Sequence, residues 1–589
     1  MFRPAPTLFS FQRMLVVTLR SFFSLLLLLV TLGGCESARR VPPQWEHPLD
    51  IPVAEGEHGM VASTAQSATR VGVAVLRSGG TAVDATIATA FALAVVHPSA
   101  GNIGGGGFLI ARIGDSMSVA LDFREKAPRA AHRNMYLTPR GDLNGSSTLG
   151  HLAAGVPGCV RGLWEFHKKF GTRPWAELIA PAIRLAREGF TVDQRLHESI
   201  SADSARFVDY PGSSALFLPD GRPPEIGVLW KNPDLAAILE RIAKRGPDGF
   251  YTGATADLIV AEMRRGGGLI THQDLKEYVA VWRDPIVFSY RGHTIFSMPP
   301  PSSGGITMAM IGNILEGYDL KAAGWHSAES MHFLAEAMRR AYADRNFYLG
   351  DPEYVAIPTA MLLSKEYAAR RRMTILPDRA TPSSEVLPGS GSLTLEHPQT
   401  THFSVADDRG NAVAMTTTLN LAYGSAVTVT GAGFLLNNEM DDFAAKPGAP
   451  NVYGLVQGEA NAIAPGKRML SSMTPTIVLD PNGAVVIVTG AAGGPRIITS
   501  VFQVISNLID YHLPLSAAMN GPRIHQQHLP DRIGCERHGF DRSTLDRLRS
   551  MGYTIKEEEN ESSVTTIVRA QNLWQGMAEP RGEGSAEGL

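Results

Sequence analysis

The residues with the clearest chemical potential are Gln399-Thr400-Thr401-His402-Phe403-Ser404-Val405. An alcohol inside a chain is a weak nucleophile near neutral pH and needs a base within hydrogen-bond reach. A threonine at a free N-terminus carries its own base, the α-amine, whose pKa is close to neutral. Thr400 suits that role if the chain breaks between Gln399 and Thr400; otherwise a threonine in a strand is an ordinary sheet residue. The flanking sequence would accommodate a break. Residues 374–399 are rich in Pro, Ser and Gly, the composition of a flexible connector. Then THFSVADD alternates polar and apolar β-formers, Asp408-Arg409-Gly410 turns, and NAVAMTTTLN returns as a second strand. A three-residue hairpin loop sets Asp407 opposite Asn411 and Thr400 directly opposite Thr418 on one face. A loop one residue different would send Thr418 to the other face.

Other stretches carry groups that could bind or polarise a small charged molecule. Arg124, in ALDFREKAP, is a solvated charge or salt-bridge partner in the ordinary case, yet a fixed guanidinium is also the natural two-donor clamp for a carboxylate. Glu439 and Asp442 follow the apolar run GFLLNN, where acidic groups are commonly solvated or paired and could also hold a cation. The strand AVVIVTG ends at Gly490-Ala-Ala-Gly493-Gly494, immediately before the helical pattern PRIITSVFQVISNLIDY. Backbone N–H groups at such a junction point at anions, which is what a tetrahedral oxyanion requires, although Gly-Gly before a helix is a weak signal by itself. Residues 444–468 are Gly/Pro-rich and poor in regular pattern, as an active-site lid would be. GNIGGGGF runs into a strand and lacks both GK[ST] and GxGxxG spacing, so close backbone packing explains it better than phosphate binding. Ser302-Ser303-Gly304 lacks the GxSxG elbow, and His525-Gln-Gln-His528 lacks a third ligand and fits packing or hydrogen bonding.

QTTHFSVAD, its threonine-bearing return strand and LLNNEMDDF together resemble the self-processing segment of the γ-glutamyltranspeptidase family, N-terminal-nucleophile (Ntn) hydrolases cut before this threonine. GNIGGGGF, LDFRE, GGLITHQDLKEY, YRGHTIFSMPPPSSGGI and AEAMRRAYADRNFYLGDP extend the likeness from Gly59 to about Ala586. The resemblance implies an α+β fold, a four-layer αββα sandwich shared by two chains of one precursor. It implies Thr400 as nucleophile, Thr418 as its supporting hydroxyl, and Gly493 and Gly494 as the oxyanion hole. It also implies that Arg124, Ser471 and Ser472 receive a substrate α-carboxylate, that Asn420, Glu439 and Asp442 receive its α-ammonium, and that Tyr453 covers the pocket. Many members have Gln where this chain has Glu439, and the usual Asp-Pro-Arg tail has Glu579 here. The implied reaction is transfer of a γ-glutamyl group from glutathione or a related compound to water or an amino-acid amine, with no cofactor and no metal. A related amidase acting on a cephalosporin side chain or on poly-γ-glutamate, and an uncut lipoprotein that only binds, are the competing readings.

The whole chain is consistent with this. Its 589 residues are 44% apolar and 19% charged, with a net charge of −3, and no basic block points to nucleic acid. Residues 1–34 read as a secretory signal: Arg3, Arg13 and Arg20 precede an apolar run that ends in small residues. Leu32-Gly33-Gly34-Cys35 resembles a lipobox, which would make Cys35 a lipidated first residue of a periplasmic, membrane-tethered protein; a signal anchor is the alternative. The expected organisation is a linker over 35–58, a large chain over 59–399 ending in the flexible stretch 374–399, and a small catalytic chain over 400–589. Cys159 and Cys535 are expected as buried thiols.

Overall fold

The computed structural model of the chain describes Met1 and residues 41–387, 400–452, 454–559, 562–582 and 584–589. Among these, two seven-stranded sheets are stacked face to face. The first runs, in spatial order, Ser585–Gly588, Gly59–Ser63, Thr400–Asp407, Ala412–Thr418, Gly106–Ile113, Met117–Asp122 and Val281–Arg283. The second runs Ala54–Gly56, Leu573–Met577, Ser563–Ala570, Val485–Ala492, Thr476–Leu479, His293–Ser297 and Ile286–Tyr290. Every pairing within these sheets is antiparallel.

Side-chain alternation explains the four layers. In the first sheet Val61, Leu109, Leu121, Phe403, Val405, Val413 and Met415 point outward into one apolar cluster with the helices Gln66–Arg77, Ala82–Val96, Trp175–Glu188 and Pro233–Arg245. Met60, Ala62, Phe108, Ile110, Ala406 and Ala414 point inward and share a second cluster with the other sheet and the helices Gly304–Leu315, Ala328–Tyr348 and Arg496–Ile509. The fold is therefore the αββα sandwich. Helix Ala82–Val96 is buried nearly all round, as its small apolar composition predicts, and starts at a Thr81–Asp84 capping box. Asn232, Pro233 and Gly246 bound the next helix as their positions in the sequence predict.

The glycine run packs backbone on backbone. A Cβ at Gly104, Gly105, Gly106 or Gly107 would lie 2.0, 2.1, 2.5 or 2.3 Å from the carbonyl oxygens of Leu435, Thr418, Phe123 and Thr416. No side chain fits there, which confirms the packing reading of this stretch.

Two segments differ from the sequence-based expectation. Ala54–Gly56, inside the expected linker 35–58, is an edge strand of the second sheet paired with Leu573–Met577. Residues 374–387, the first part of the expected connector, are tied down. Arg340 donates to the Thr374 carbonyl at 2.7 Å and to the Thr381 hydroxyl at 3.1 Å, while Asp531 accepts the Ser383 N–H at 2.7 Å. The remainder, with Gln399, lies outside the described residues. The Gly-rich tail forms an edge strand, Ser585–Gly588, on Gly59–Ser63. Just before it, Glu579 accepts hydrogen bonds from Arg523 at 2.9 Å, Arg581 at 2.8 Å and the Val564 N–H at 2.8 Å, all within the interior. Glu579→Ala removes the buried carboxylate that Arg523 meets and leaves Arg581 with Glu536 at 2.8 Å; it should cost about 3–5 kcal/mol of stability, read as a lower midpoint in chemical denaturation.

Candidate functional site

The hairpin register is the one its loop predicts. Thr400 pairs with Thr418, His402 with Thr416 and Ala406 with Ala412, and the turn closes through Asp407 and Asn411 with Gly410 at φ +80°. Alternation then puts Thr400, His402, Thr416 and Thr418 on the inner face, opposite the second sheet. The His402 imidazole lies against Gly490, where a Cβ would meet it at 2.3 Å, and bonds the Thr416 hydroxyl at 2.8 Å. Burial lowers its pKa to about 3, so it stays neutral at physiological pH.

Thr400, Thr418, Asn420, Arg124, Asp442, Ser471, Ser472 and Gly494 line one recess whose free volume is about 20 Å³, room for roughly one water. Thr400 is 7% exposed and Thr418 2%. The recess lies where the hairpin meets the turn Gly493-Gly494, at φ +132° and +51°, which opens the helix Arg496–Ile509. Glycine is needed there because both backbone conformations are ones that L side chains rarely adopt.

The charged groups are in direct contact. The Arg124 guanidinium meets Glu439 at 2.7 Å, Glu125 at 3.6 Å and Asp442 more closely still, with Arg124, Glu125 and Glu439 inaccessible to solvent. Burial raises the Glu125 carboxyl to about 7, and raises Glu439 well above and Asp442 above the ordinary carboxylate range, in each case against the pull of Arg124. Asp442 and Asp441 also anchor the expected lid. The Asp442 carbonyl accepts from Gln457 and Asn461, and Asp441 accepts the Val452 N–H at 3.1 Å. Tyr453 lies outside the described residues, as do Gln399 and Cys35.

Arg345 is the lining residue that sequence reasoning missed. It projects from the buried helix Ala328–Tyr348 and donates to Ser303 at 2.9 Å, Ser472 at 3.0 Å and Asn346 at 2.9 Å. Burial lowers its pKa to about 10, the mark of a cation held with little compensating negative charge. Its only sequence signal is an arginine on the apolar face of AEAMRRAYADRNFYLGDP. The Ser302-Ser303 segment, set aside as a nucleophile, is a brace: Ser303 donates from its N–H and its hydroxyl to the Ser471 carbonyl at 2.7 and 2.6 Å.

Asn420 sits in the left-handed backbone region, which asparagine tolerates better than other non-glycine residues. Asn420, Tyr423, Gly424 and Ala426 have φ of +77°, +57°, +56° and +61°, at a cost of about 1–3 kcal/mol for each non-glycine residue. The Asn420 N–H donates to the Thr418 hydroxyl oxygen at 2.7 Å, which ties this turn to the hairpin. From helix Gln194–Phe207, Arg206 donates to the carbonyls of Ala422 at 2.8 Å and Gly424 at 2.7 Å, and Tyr423 is buried against Phe207 and Phe217. Arg206→Ala should therefore speed backbone amide exchange across residues 420–426 by roughly tenfold or more, with Arg206→Lys restoring part of the protection. Unchanged exchange would show that the turn holds itself.

A family model described as Gamma-glutamyltranspeptidase matches residues 68–589. The Glutathione hydrolase proenzyme of Escherichia coli (strain K12) is 46% identical over 559 residues, covering 93% of this chain and 96% of that protein. The crystal structure of cephalosporin acylase from Bacillus halodurans superposes with a TM-score of 0.81 at 27% identity, over 93% of this chain and 99% of that one. A chain of Helicobacter pylori gamma-glutamyltranspeptidase gives a TM-score of 0.55 at 44% identity, over 59% of this chain and 99% of that one. The sandwich, the threonine pair at its inner face and these matches lead to one conclusion: the chain belongs to the gamma-glutamyltranspeptidase family.

Proposed function

We propose that this protein is a glutathione hydrolase of the γ-glutamyltransferase type, made as a proenzyme and cut between Gln399 and Thr400 into a large chain that includes residues 59–399 and a small chain of residues 400–589, which share one fold. The observation that carries the reading is the meeting of Thr400, Thr418, Arg124, Asp442 and Gly494 around one recess. Once the chain is cut, the Thr400 amine takes the proton of its own hydroxyl as Oγ attacks the γ-amide carbon. Thr418, opposite in register, steadies that oxygen. The oxyanion lies toward the N–H groups of Gly493 and Gly494. Collapse expels the amine leaving group, which takes up the proton held by the Thr400 amine, and leaves a γ-glutamyl ester. Water or an amino-acid amine then attacks the ester carbon and returns the hydroxyl to Thr400.

Recognition of the γ-glutamyl head follows from charge. Its α-ammonium goes to Asn420, Glu439 and Asp442, its α-carboxylate goes toward Arg124 with Ser471 and Ser472, and Tyr453 covers the pocket. The remaining finer part of the proposal is export with a lipid on Cys35. No helix among the described residues is long and apolar enough to cross a membrane.

The likeness to the Bacillus halodurans cephalosporin acylase favours one second reading, an amidase with the same machinery and a different acyl group. Arg124→Lys separates the two, because it keeps the buried charge while losing the two-pronged geometry. If the reading is right, kcat/KM for a γ-glutamyl anilide should fall roughly 10–100-fold, mostly through KM; an unchanged value would favour the amidase. Processing is checked by N-terminal sequencing of the smaller band on a denaturing gel. The native protein should begin Thr400-Thr401-His402, and Thr400→Ala should remain one chain without hydrolysis. An active single chain would remove the free amine on which the mechanism depends.

A further inference from the structure

Arg124 is one cation with three carboxylates on it: Glu439 at 2.7 Å, Glu125 at 3.6 Å and Asp442. The carboxylate oxygens of Glu125 and Glu439 are buried and, apart from Arg124, face few donors, the Gly106 N–H beside Glu125 and the Thr418 hydroxyl beside Glu439, which for an ionised carboxylate is a costly state. Glu439 and Asp442 lie within hydrogen-bond reach of one another on the same guanidinium, so a single proton between them would bond both. The groups packed around them do not balance the charge. Arg345 attracts Asp442 while donating to Ser303, Ser472 and Asn346, so two cations face three carboxyls; the Cys159 thiol is pushed up by burial, and the Tyr278 hydroxyl donates to the Arg124 carbonyl. With every carboxyl ionised the cluster would be net negative in a nearly dry interior, the condition under which like-charged carboxyls keep a proton.

We infer that the substrate-free site holds one proton on the Glu125, Glu439 and Asp442 carboxyls and that an arriving α-ammonium group displaces it, so that γ-glutamyl binding by this chain releases a proton. This rests on the reading of the recess as a γ-glutamyl site. The ammonium brings a positive charge and three N–H donors to the carboxyl cluster, of which Asp442 lines the recess, and the displaced proton passes to solvent. No bond of the ligand changes in this step. Glu439 is the residue that creates the surplus, since an amide at this position would leave only two carboxylates facing Arg124, with Arg345 nearby. The sign follows from competition. Below the pH at which the free cluster loses its proton, each unit of acidification should weaken binding about tenfold, and above it binding should be independent of pH.

The test is isothermal titration of the processed enzyme with L-glutamate, which has the α-ammonium and α-carboxylate but no bond to cleave. It is run at pH 6.5 in buffers of different ionisation enthalpy. The native enzyme should release close to one proton per L-glutamate bound and Glu439→Gln close to none. In parallel, KM for a γ-glutamyl anilide should fall with rising pH to a plateau in the native enzyme and stay level in Glu439→Gln. If that variant is not cut, Glu125→Gln replaces it with the same expectation. Binding without proton release in the native enzyme, or undiminished release in the variant, overturns the inference. Failure of a processed, active enzyme to bind L-glutamate at all would instead overturn the γ-glutamyl reading of the recess, and the inference with it.

Discussion

The strand that starts at Thr400 is paired along its length with Ala412–Thr418 and, from Ser404 on, also with Gly59–Ser63, and the rest of the molecule depends on that position. A cut in front of a strand held on two sides frees an amine without freeing the strand. The other end of the would-be small chain is secured in the same way, because Ser585–Gly588 adds to the far edge of Gly59–Ser63. Both ends of the catalytic half are therefore stitched to one strand of the other half. The glycine run belongs to the same constraint: Gly106 pairs with Thr418, and a side chain on it would run into the Phe123 carbonyl and the Glu125 carboxylate.

Around this frame the interior carries more charge than a core usually tolerates. Arg124, Arg339, Arg340, Arg345 and Arg468 are all nearly inaccessible to solvent. A buried guanidinium is stable only when its planar donors are satisfied, and four of these five are put to use. Arg339 and Arg340 fasten helix Ala328–Tyr348 to residues 374–387 and to Asp531. Arg345 holds Ser303 and Ser472 beside the recess. Arg124 gathers the carboxylates. The same desolvation that makes these pairs rigid raises the carboxyl pKa values, so structural and functional electrostatics have a single cause.

The parts of the site set by short-range rules could be read directly. A three-residue loop fixes the register of its own hairpin, which is why the Thr400–Thr418 pair was legible, and caps and breakers bounded Ala82–Val96 and Pro233–Arg245. The brace of Ser303 on Ser471 and the clamp of Arg206 on the Asn420 turn were not legible. Each joins residues separated by more than 150 positions, and no local pattern encodes such a contact. The edge strand in the Gly-rich tail was hidden for a related reason: its composition argues against a strand, and pairing with Gly59–Ser63 overrides it.

By itself the sequence determined the nucleophile and its partner across the hairpin, the buried helices and the order of motifs that mark the family, because these depend on neighbours along the chain. Only the tertiary structure decided that Arg124 is shared by three carboxylates, that Arg345 enters the recess, and that residues 374–387 are anchored. Burial and through-space charge depend on which distant segments meet, and the protonation of the site depends on both.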